Sequence, residues 1–297
     1  MCGIAGLFLK DARMSPDLGA MLSEMLVTLS DRGPDSAGIA LYADARPGEV
    51  KLTLQAGMPE AFDAVAGVLR DALGRDPVLD VRDSHAVLRL PATEAASVRA
   101  ALTERCPEIR ILSAGDAIEI YKEVGAPAEV LRRFGIAGRA GSHGIGHTRM
   151  ATESAVTTDG AHPYSAGADQ CLVHNGSLSN HNALRRRLAA AGFGVSSQND
   201  TEVAAAYLTW RMRQGQSLDA ALESALADLD GFYTFVVGTR DGFGVLRDPI
   251  ACKPAVMAET DRYVAFGSEY RALAGLPGID AARIWEPEPA TVYFWKH

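Results

Sequence analysis

MCGIAGLF, residues 1–8, opens the chain with a cysteine at position two followed by a run of small and apolar residues. Residues 4–8 are typical of a short buried strand. A chain terminus frays and meets oxidants first, so a cysteine there is an unusual choice. Cys2 is therefore either a small hydrophobic residue that begins a strand or, once Met1 is removed, a reactive N-terminal residue.

The composition is that of an ordinary globular protein, with 47% hydrophobic and 22% charged residues among 297. Lys and Arg number 29 against 37 Asp and Glu, so the net charge is −8 and no basic run suits a nucleic-acid surface. Neither a signal peptide nor a window of roughly 18 apolar residues is found. We expect a cytoplasmic protein that binds neither nucleic acid nor membrane.

The cysteines are too far apart to suggest a disulfide framework or a zinc site. Cys2, Cys106, Cys171 and Cys252 show no CxxC spacing. We expect no metal site on this chain.

The first part of the chain contains strands and one long amphipathic helix. Residues 1–9 are predicted as a strand, and residues 15–33 as a helix with Ser15 as N-cap and Pro16 as its first residue. The Gly/Pro loop at the start of DRGPDSAGIALY then leads into a second strand.

Residues 78–126 have a strand–helix–strand–strand pattern, with Thr93 at the helix start and no cluster of catalytic residue types. We interpret them as a βαββ insertion or subdomain within one domain of residues 1–297. Beyond residue 141, helices are followed by a series of strands without regular βαβ alternation. The sequence therefore predicts an α+β layered fold rather than a doubly wound one.

An N-terminal cysteine would carry its own base. A thiol has a reference pKa of about 8.5 and needs a proton acceptor at neutral pH. The α-amino group, with a reference pKa of about 7.7–8.0, can take that proton from the same residue, directly or through one water. From this segment alone, the buried strand cysteine stays an open alternative.

Two further segments contain groups that suit an amino-acid substrate. In GIGHTRMATES, Arg149 could hold a carboxylate with two parallel hydrogen bonds. In HNG, the Asn175 side chain and the Gly176 backbone N–H are adjacent donors, as an oxyanion hole requires. Asn-Gly is also a strong hairpin signal, and a turn could present both donors.

NDTE places Asp200 at the start of a helix, where its carboxylate is either an N-cap or the partner of a substrate ammonium. Three histidines, His147, His162 and His174, lie in the same segments. We interpret them as packing residues.

In order along the chain, MCGIAG, DRGPDSAGIA, GHTRMAT, HP, HNGSLSN, NDTE and RDPIACKP…FGSE resemble the class II glutamine amidotransferases. The resemblance covers most of residues 1–77 and 140–275. It implies an N-terminal-nucleophile hydrolase with a four-layer αββα sandwich. It also implies that Cys2, exposed by loss of Met1, attacks the glutamine side-chain amide, with Asn175 and Gly176 as the oxyanion hole.

The resemblance further implies how glutamine is bound. Arg149 would bind its α-carboxylate and Asp200 its α-ammonium, assisted by the Gly176 carbonyl. Thr152 would line the site, within a loop over bound glutamine at about residues 149–156.

The chain departs from the family pattern at several positions. Met150 stands where several members have an aromatic residue, and Glu153 follows Thr152. In RDPIACKP, which resembles the family's RD-x-x-G-x-KP, we take Cys252 as the replacement for the glycine. Cys252 is a rival thiol, but it lies mid-chain without a nearby histidine.

The resemblance also implies a partner. The chain stops just past the glutaminase strands, so we expect ammonia to pass to separate synthase subunits in a hetero-oligomer. The length of the chain and its insertion resemble those of the amidotransferase subunits of split glutamate synthases. Within that group, the chain is most similar to the subunit of N-methylglutamate synthase. FMN and iron–sulfur clusters would then sit on the partner subunits, and no cofactor on this chain. Two alternatives stay open, a self-contained hydrolase of another γ-glutamyl amide and a non-catalytic glutamine-sensing subunit.

Overall fold

The computed structural model describes residues 2–151 and 155–297. Its largest sheet has seven strands, each antiparallel to its neighbours. In spatial order they are β15 (Arg283–Trp285), β13 (Val256–Glu259), β14 (Tyr263–Gly267), β1 (Gly3–Leu9), β8 (His143–Arg149), β2 (Ser36–Tyr42) and β7 (Ile118–Val124). The predicted N-terminal strand thus lies in the middle of this sheet.

A second antiparallel sheet has five strands and faces the first. In spatial order they are β16 (Thr291–Lys296), β12 (Gly242–Arg247), β11 (Gly231–Thr239), β10 (Gln170–Leu178) and β9 (Tyr164–Gly167). Buried side chains of both sheets, such as Ile4, Ile145, Val173 and Phe243, form one cluster between them. The sheets approach so closely that a Cβ at position 6 would lie 2.8 Å from the Phe243 ring.

Helices cover the two outer faces. On the seven-stranded sheet lie α1 (Leu18–Thr28) and α4 (Pro127–Arg133), and on the five-stranded sheet lie α5 (His181–Ala190), α6 (Asp200–Arg213) and α7 (Leu218–Asp228). Apolar residues of α1 at helical spacing, among them Leu18, Leu22 and Leu26, are buried there. The α+β class and the four αββα layers are confirmed. None of the helices in the described ranges has both the length and the apolar character needed to cross a membrane.

A third sheet forms the inserted unit, but its bounds differ from the predicted 78–126. Its spatial order is β4 (Val78–Arg82), β5 (His85–Pro91), β3 (Glu49–Gln55) and β6 (Arg110–Gly115), packed with α2 (Ala61–Leu73) and α3 (Ala95–Arg105) around a core of its own. β7 leaves this unit and pairs with β2. The reason is packing, because Ile118 and Ile120 fill the cluster between the two large sheets.

Two predicted helix starts are wrong. Ser15 lies inside a short 3₁₀ helix, Ala12–Asp17, whose cap is Asp11. Thr93 lies inside another 3₁₀ turn, Ala92–Glu94, that precedes α3. In both places the polar residue was placed correctly near a helix start, but a 3₁₀ turn comes before the α-helix.

Candidate active site

Cys2 lies immediately before β1, half-buried at one end of the two facing sheets. Its carbonyl oxygen accepts hydrogen bonds from Asn175 Nδ2 at 3.1 Å and from Arg32 Nε at 3.0 Å. Its thiol donates a long contact, 3.8 Å to the Met150 carbonyl. The backbone of Cys2 is therefore fixed from two sides, while its sulfur is held weakly. Cys2 is thus half-buried and precedes the strand, whereas the alternative predicted a buried residue within it.

The start of β1 is tied down by the segment FGSE. Ile4 N donates to Ser268 Oγ and Ser268 N donates to Ile4 O, both at 2.9 Å. Glu269, the next residue, forms an ion pair with Arg32, which also holds Cys2. These contacts prevent the fraying that a chain terminus normally shows.

Arg32 is a site residue for which the sequence analysis assigned no role. It is only 9% exposed, and it connects the Cys2 carbonyl with Glu269. The available signal was its place in the Gly/Pro loop DRGPDS, one of the segments that carry the family resemblance. Nothing local distinguishes it from a solvated loop arginine.

Asn175 and Gly176 are in the middle of a strand, so the hairpin-turn alternative is wrong. They lie on β10 opposite Thr234 and Tyr233 of β11. Gly176 has φ +142°, and a Cβ there would lie 2.0 Å from the Phe232 carbonyl oxygen. Only glycine fits this backbone. Asn175 thereby faces Cys2 from the opposite sheet, with one amide hydrogen on the Cys2 carbonyl and a second hydrogen to donate.

Asp200 is the first residue of α6, and the N-cap is Asn199, whose side chain accepts from Thr201 N at 2.9 Å. The carboxylate of Asp200 instead accepts from Leu178 N at 2.9 Å and lies 3.6 Å from His174 Nδ1. Burial raises the pKa of this carboxyl, but the nearby His174 side chain and the hydrogen bond from Leu178 N outweigh burial and bring the pKa to about 2. Asp200 therefore keeps its negative charge close to Asn175 at neutral pH.

Arg149 ends β8 opposite Ser36 and is buried. Its guanidinium donates to the Ala155 carbonyl at 3.4 Å and packs against Gly160. Ala151 N, two residues on, donates to Asp35 Oδ2 at 2.8 Å. Arg149 is thus adjacent to Met150, which the Cys2 thiol contacts. Thr152 and Glu153, part of the expected loop at residues 149–156, lie outside the described residues.

The three histidines are buried beside these groups, as expected of packing residues. The rings of His147 and His162 lie 4.0 Å apart, and Thr201 Oγ1 bridges His162 Nε2 at 3.1 Å and His174 Nδ1 at 3.0 Å. Burial lowers the pKa of His147 to about 3 and that of His162 well below its ordinary value. The His147 and His162 rings are therefore uncharged at neutral pH and pack beside the site.

Cys252 does not take the place of the glycine in RD-x-x-G-x-KP. The residue with positive φ is Ala251, at +52°, so the glycine position is 251. Asp248 forms this turn by accepting from Ile250 N and Ala251 N. The Cys252 side chain is exposed. The spacing of RD-x-x-G-x-KP itself places the glycine at position 251. The predicted position, 252, is one residue too far along the chain.

Together these elements bring a thiol, an amide donor, a buried cation and a half-buried carboxylate to one end of the paired sheets. Cys2 comes from β1, Asn175 from β10, Arg149 from β8 and Asp200 from α6. A zwitterionic substrate would find a charge partner at each of its own charges, with a nucleophile nearby. The arrangement suits acyl transfer from an amino acid that has a side-chain amide.

Comparison with known proteins agrees with this chemistry. A family model described as a glutamine amidotransferase domain matches residues 147–275. The chain is 63% identical to the glutamine amidotransferase-like protein GlxB of Rhizobium meliloti (strain 1021), over 100% of this chain and 99% of that protein. It is 33% identical to a putative glutamine amidotransferase of Methanothermobacter thermautotrophicus, over 100% of both.

A solved structure shows the same fold. The chain superposes on glutamine phosphoribosylpyrophosphate amidotransferase of B. subtilis with a TM-score of 0.64 and 18% identity. The match covers 99% of this chain and 47% of that one, so the chain spans about half the length of the solved protein. At this identity the likeness concerns the fold.

Proposed function

Since the chain belongs to the class II glutamine amidotransferase family, we propose that it hydrolyses glutamine to glutamate and ammonia through a γ-glutamyl thioester on Cys2. The observation that carries this proposal is the 3.1 Å hydrogen bond from the Asn175 amide to the Cys2 carbonyl. It joins the nucleophile to an oxyanion donor across two sheets. A second support is that a buried Arg149 and an ionised Asp200 lie at the same end of the fold.

In the first half-reaction, the thiol of Cys2 gives its proton to the α-amine of the same residue, and the sulfur attacks the side-chain amide carbon of glutamine. The oxygen of that amide becomes negative in the tetrahedral intermediate, where Asn175 and the Gly176 N–H stabilise it. The ammonium then donates its proton to the leaving nitrogen. Ammonia departs, and the γ-glutamyl thioester remains.

In the second half-reaction, water attacks the thioester carbon while the α-amine accepts a proton from water. The same donors stabilise the second tetrahedral intermediate. The thiolate leaves and is reprotonated, and glutamate is released. Arg149 and Asp200 hold the α-carboxylate and α-ammonium through both steps, so the amide carbon stays in line with the sulfur.

We propose that the ammonia goes to a separate synthase subunit of the glutamate synthase or N-methylglutamate synthase type. This step rests on the resemblance to the amidotransferase subunits of split glutamate synthases. FMN and iron–sulfur clusters would then belong to the partner. A suitable test mixes the chain with such a synthase and supplies glutamine labelled with ¹⁵N in its amide. We expect the ¹⁵N enrichment of the synthase product to stay the same when unlabelled ammonia is added. Full dilution would contradict direct transfer.

An intact-mass spectrum tests the chemistry directly. We expect the purified chain to lack Met1 and to gain one adduct, mapped to Cys2, from a diazo-ketone analogue of norleucine that mimics glutamine. A processed chain without an adduct, together with faster release of glutamate from a larger γ-glutamyl amide, would favour the hydrolase alternative. Stoichiometric glutamine binding without turnover would favour the sensing alternative.

Replacing Asp200 by asparagine should raise the KM for glutamine about 100-fold and change kcat only a few-fold, because the substrate ammonium loses its charge partner. The asparagine oxygen can still accept from Leu178 N, so the fold should persist. Glutamate release at varied glutamine concentration measures both constants. In the wild type, the pKa of about 2 keeps Asp200 charged, so its titration should leave KM unchanged from pH 5 to 8.

Asp219→Asn is the matched control, since Asp219 also lies in the first turn of a helix, α7. That helix begins near Lys296, toward the other end of the five-stranded sheet. We expect an unchanged KM in this variant. A comparable rise in both variants would show that the effect of Asp200 is structural.

A further inference from the structure

We propose that Lys122 is a positioning residue for the glutamine site, which it serves by holding residues 160–163 against Arg149. The inference rests on the proposed function of Arg149 as the carboxylate-binding group. Lys122 lies on β7, opposite Gly38 of β2.

Lys122 is buried in an unusual way for a lysine. It is 4% exposed, and its ammonium donates to two backbone carbonyls, Ala161 O at 2.8 Å and Pro163 O at 3.4 Å. The Tyr164 ring lies 4.3 Å from the ammonium. Burial accordingly lowers the pKa of Lys122 to about 7. The carbonyls of residues 161 and 163 offset part of the cost of burying this ammonium, so Lys122 and the segment that supplies the carbonyls hold each other in place.

The segment that Lys122 holds is wedged between the sheet and Arg149. A Cβ at Gly38 would lie 2.1 Å from the His162 carbonyl oxygen, so the segment lies directly on β2. On its other side, a Cβ at Gly160 would lie 2.7 Å from Arg149 Nη1 and 3.2 Å from Cζ. The position of the guanidinium therefore depends on where Gly160 lies.

The same segment is linked to the second charge-binding group. His162 Nε2 pairs with Thr201 Oγ1 at 3.1 Å, and Thr201 follows Asp200 in α6. Residues 160–163 thus connect Arg149 with the start of α6, and Lys122 fixes this connection from β7. Its loss should disturb glutamine binding more than the chemical step.

The test compares Lys122→Met with Lys51→Met in the full chain. Lys51 is also a buried lysine that donates to a backbone carbonyl, Ala43 O at 2.8 Å, but it lies near the end of β2 remote from Arg149. Hydrogen exchange reports on the segment through the amides of Gly160 and Ala161, which donate to Thr157 Oγ1 and Thr158 O. We expect these amides to exchange about tenfold faster in K122M, and KM for glutamine to rise about tenfold with kcat within twofold. Neither should change in K51M.

A double-mutant cycle shows whether Lys122 acts through Arg149. In an Arg149→Lys background, K122M should raise KM by less than twofold, because the guanidinium that Lys122 positions is gone. Unchanged exchange in K122M, or an equal rise in KM with and without Arg149, would overturn the proposal. If the wild type neither binds nor hydrolyses glutamine, the proposed function fails separately, and the exchange data alone decide whether Lys122 holds the segment. Should K122M not fold, Lys122→Gln, which keeps a donor without the charge, is measured in the same assays.

Discussion

Replacing Cys2 by alanine should abolish glutamine hydrolysis, with a loss of roughly 10⁴-fold or more in kcat. The variant loses the sulfur that we propose forms the thioester, while alanine at position two still permits removal of Met1. Its fold should survive, because the thiol contact to the Met150 carbonyl is long, at 3.8 Å, and the hydrogen bonds from Asn175 and Arg32 go to the backbone of the residue. Glutamate release, measured by coupled assay, gives the rate.

Two controls separate the nucleophile from other effects of the substitution. Cys252→Ala, which removes an exposed thiol elsewhere, should retain full activity. Glutamine should still raise the melting temperature of C2A, because Arg149 and Asp200 are intact. Residual turnover in C2A that disappears in the C2A/C252A double variant would transfer the nucleophile to Cys252 and contradict the assignment.

A chain with an uncleaved N-terminal extension tests the base. It keeps the Cys2 thiol, but the α-amine becomes an amide that cannot accept a proton. We expect a loss of activity comparable to that of C2A, and recovery when the extension is removed by a protease that leaves Cys2 first. Full activity with the extension in place would require a different base.

Local sequence was sufficient to predict a site residue where the motif that contains it ends a strand or begins a helix. Arg149 at the end of β8 and Asp200 at the start of α6 are both positioned by local sequence. For Asp200, the neighbouring Asn199 competes for the same capping position, and the amide of Leu178 decides between them. Local sequence therefore located the residue, and a tertiary contact determined where its carboxylate points.

Long-range pairing explains most of what the sequence did not reveal. Asn-Gly at 175–176 has the composition of a turn, yet pairing with β11 keeps it within a strand, at the φ that only glycine adopts freely. Similarly, β3 and β7 have ordinary strand patterns, and only their partners assign one to the inserted sheet and the other to the main sheet. The alternation of apolar and polar residues along a strand predicts which face is buried, but it does not predict which other strand pairs with it.

Buried cations were the second kind of information missing from the sequence. Arg32 and Lys122 look like surface charges in their own segments, because lysine and arginine are seldom buried. In the structure, the first holds the Cys2 carbonyl and the second holds the segment beside Arg149. Neither role follows from spacing, since each depends on a carbonyl more than 25 residues away in the chain.

Replacing Asn175 by alanine should lower kcat by about 10² to 10³, with a small change in KM, because the oxyanion loses one of its two donors only in the transition state. Aspartate at this position should be worse, since it replaces a donor by a negative charge next to the developing oxyanion. Initial rates of glutamate formation at saturating glutamine measure the loss. Asn180→Ala is the matched control, because Asn180 follows β10 and bonds to Asp228 O and Asp230 N rather than to Cys2.

Asn175 also holds the Cys2 carbonyl, so a loss of activity in N175A has two possible physical causes. Iodoacetamide distinguishes them, because alkylation of the thiol forms no oxyanion. If Asn175 acts as an oxyanion donor, N175A should react with iodoacetamide at the wild-type rate while glutamine turnover falls. If its main role is to position Cys2, both rates should fall together. Arg32, which holds the same carbonyl independently at 3.0 Å, favours the first result, because Cys2 keeps one of its two backbone anchors in the variant.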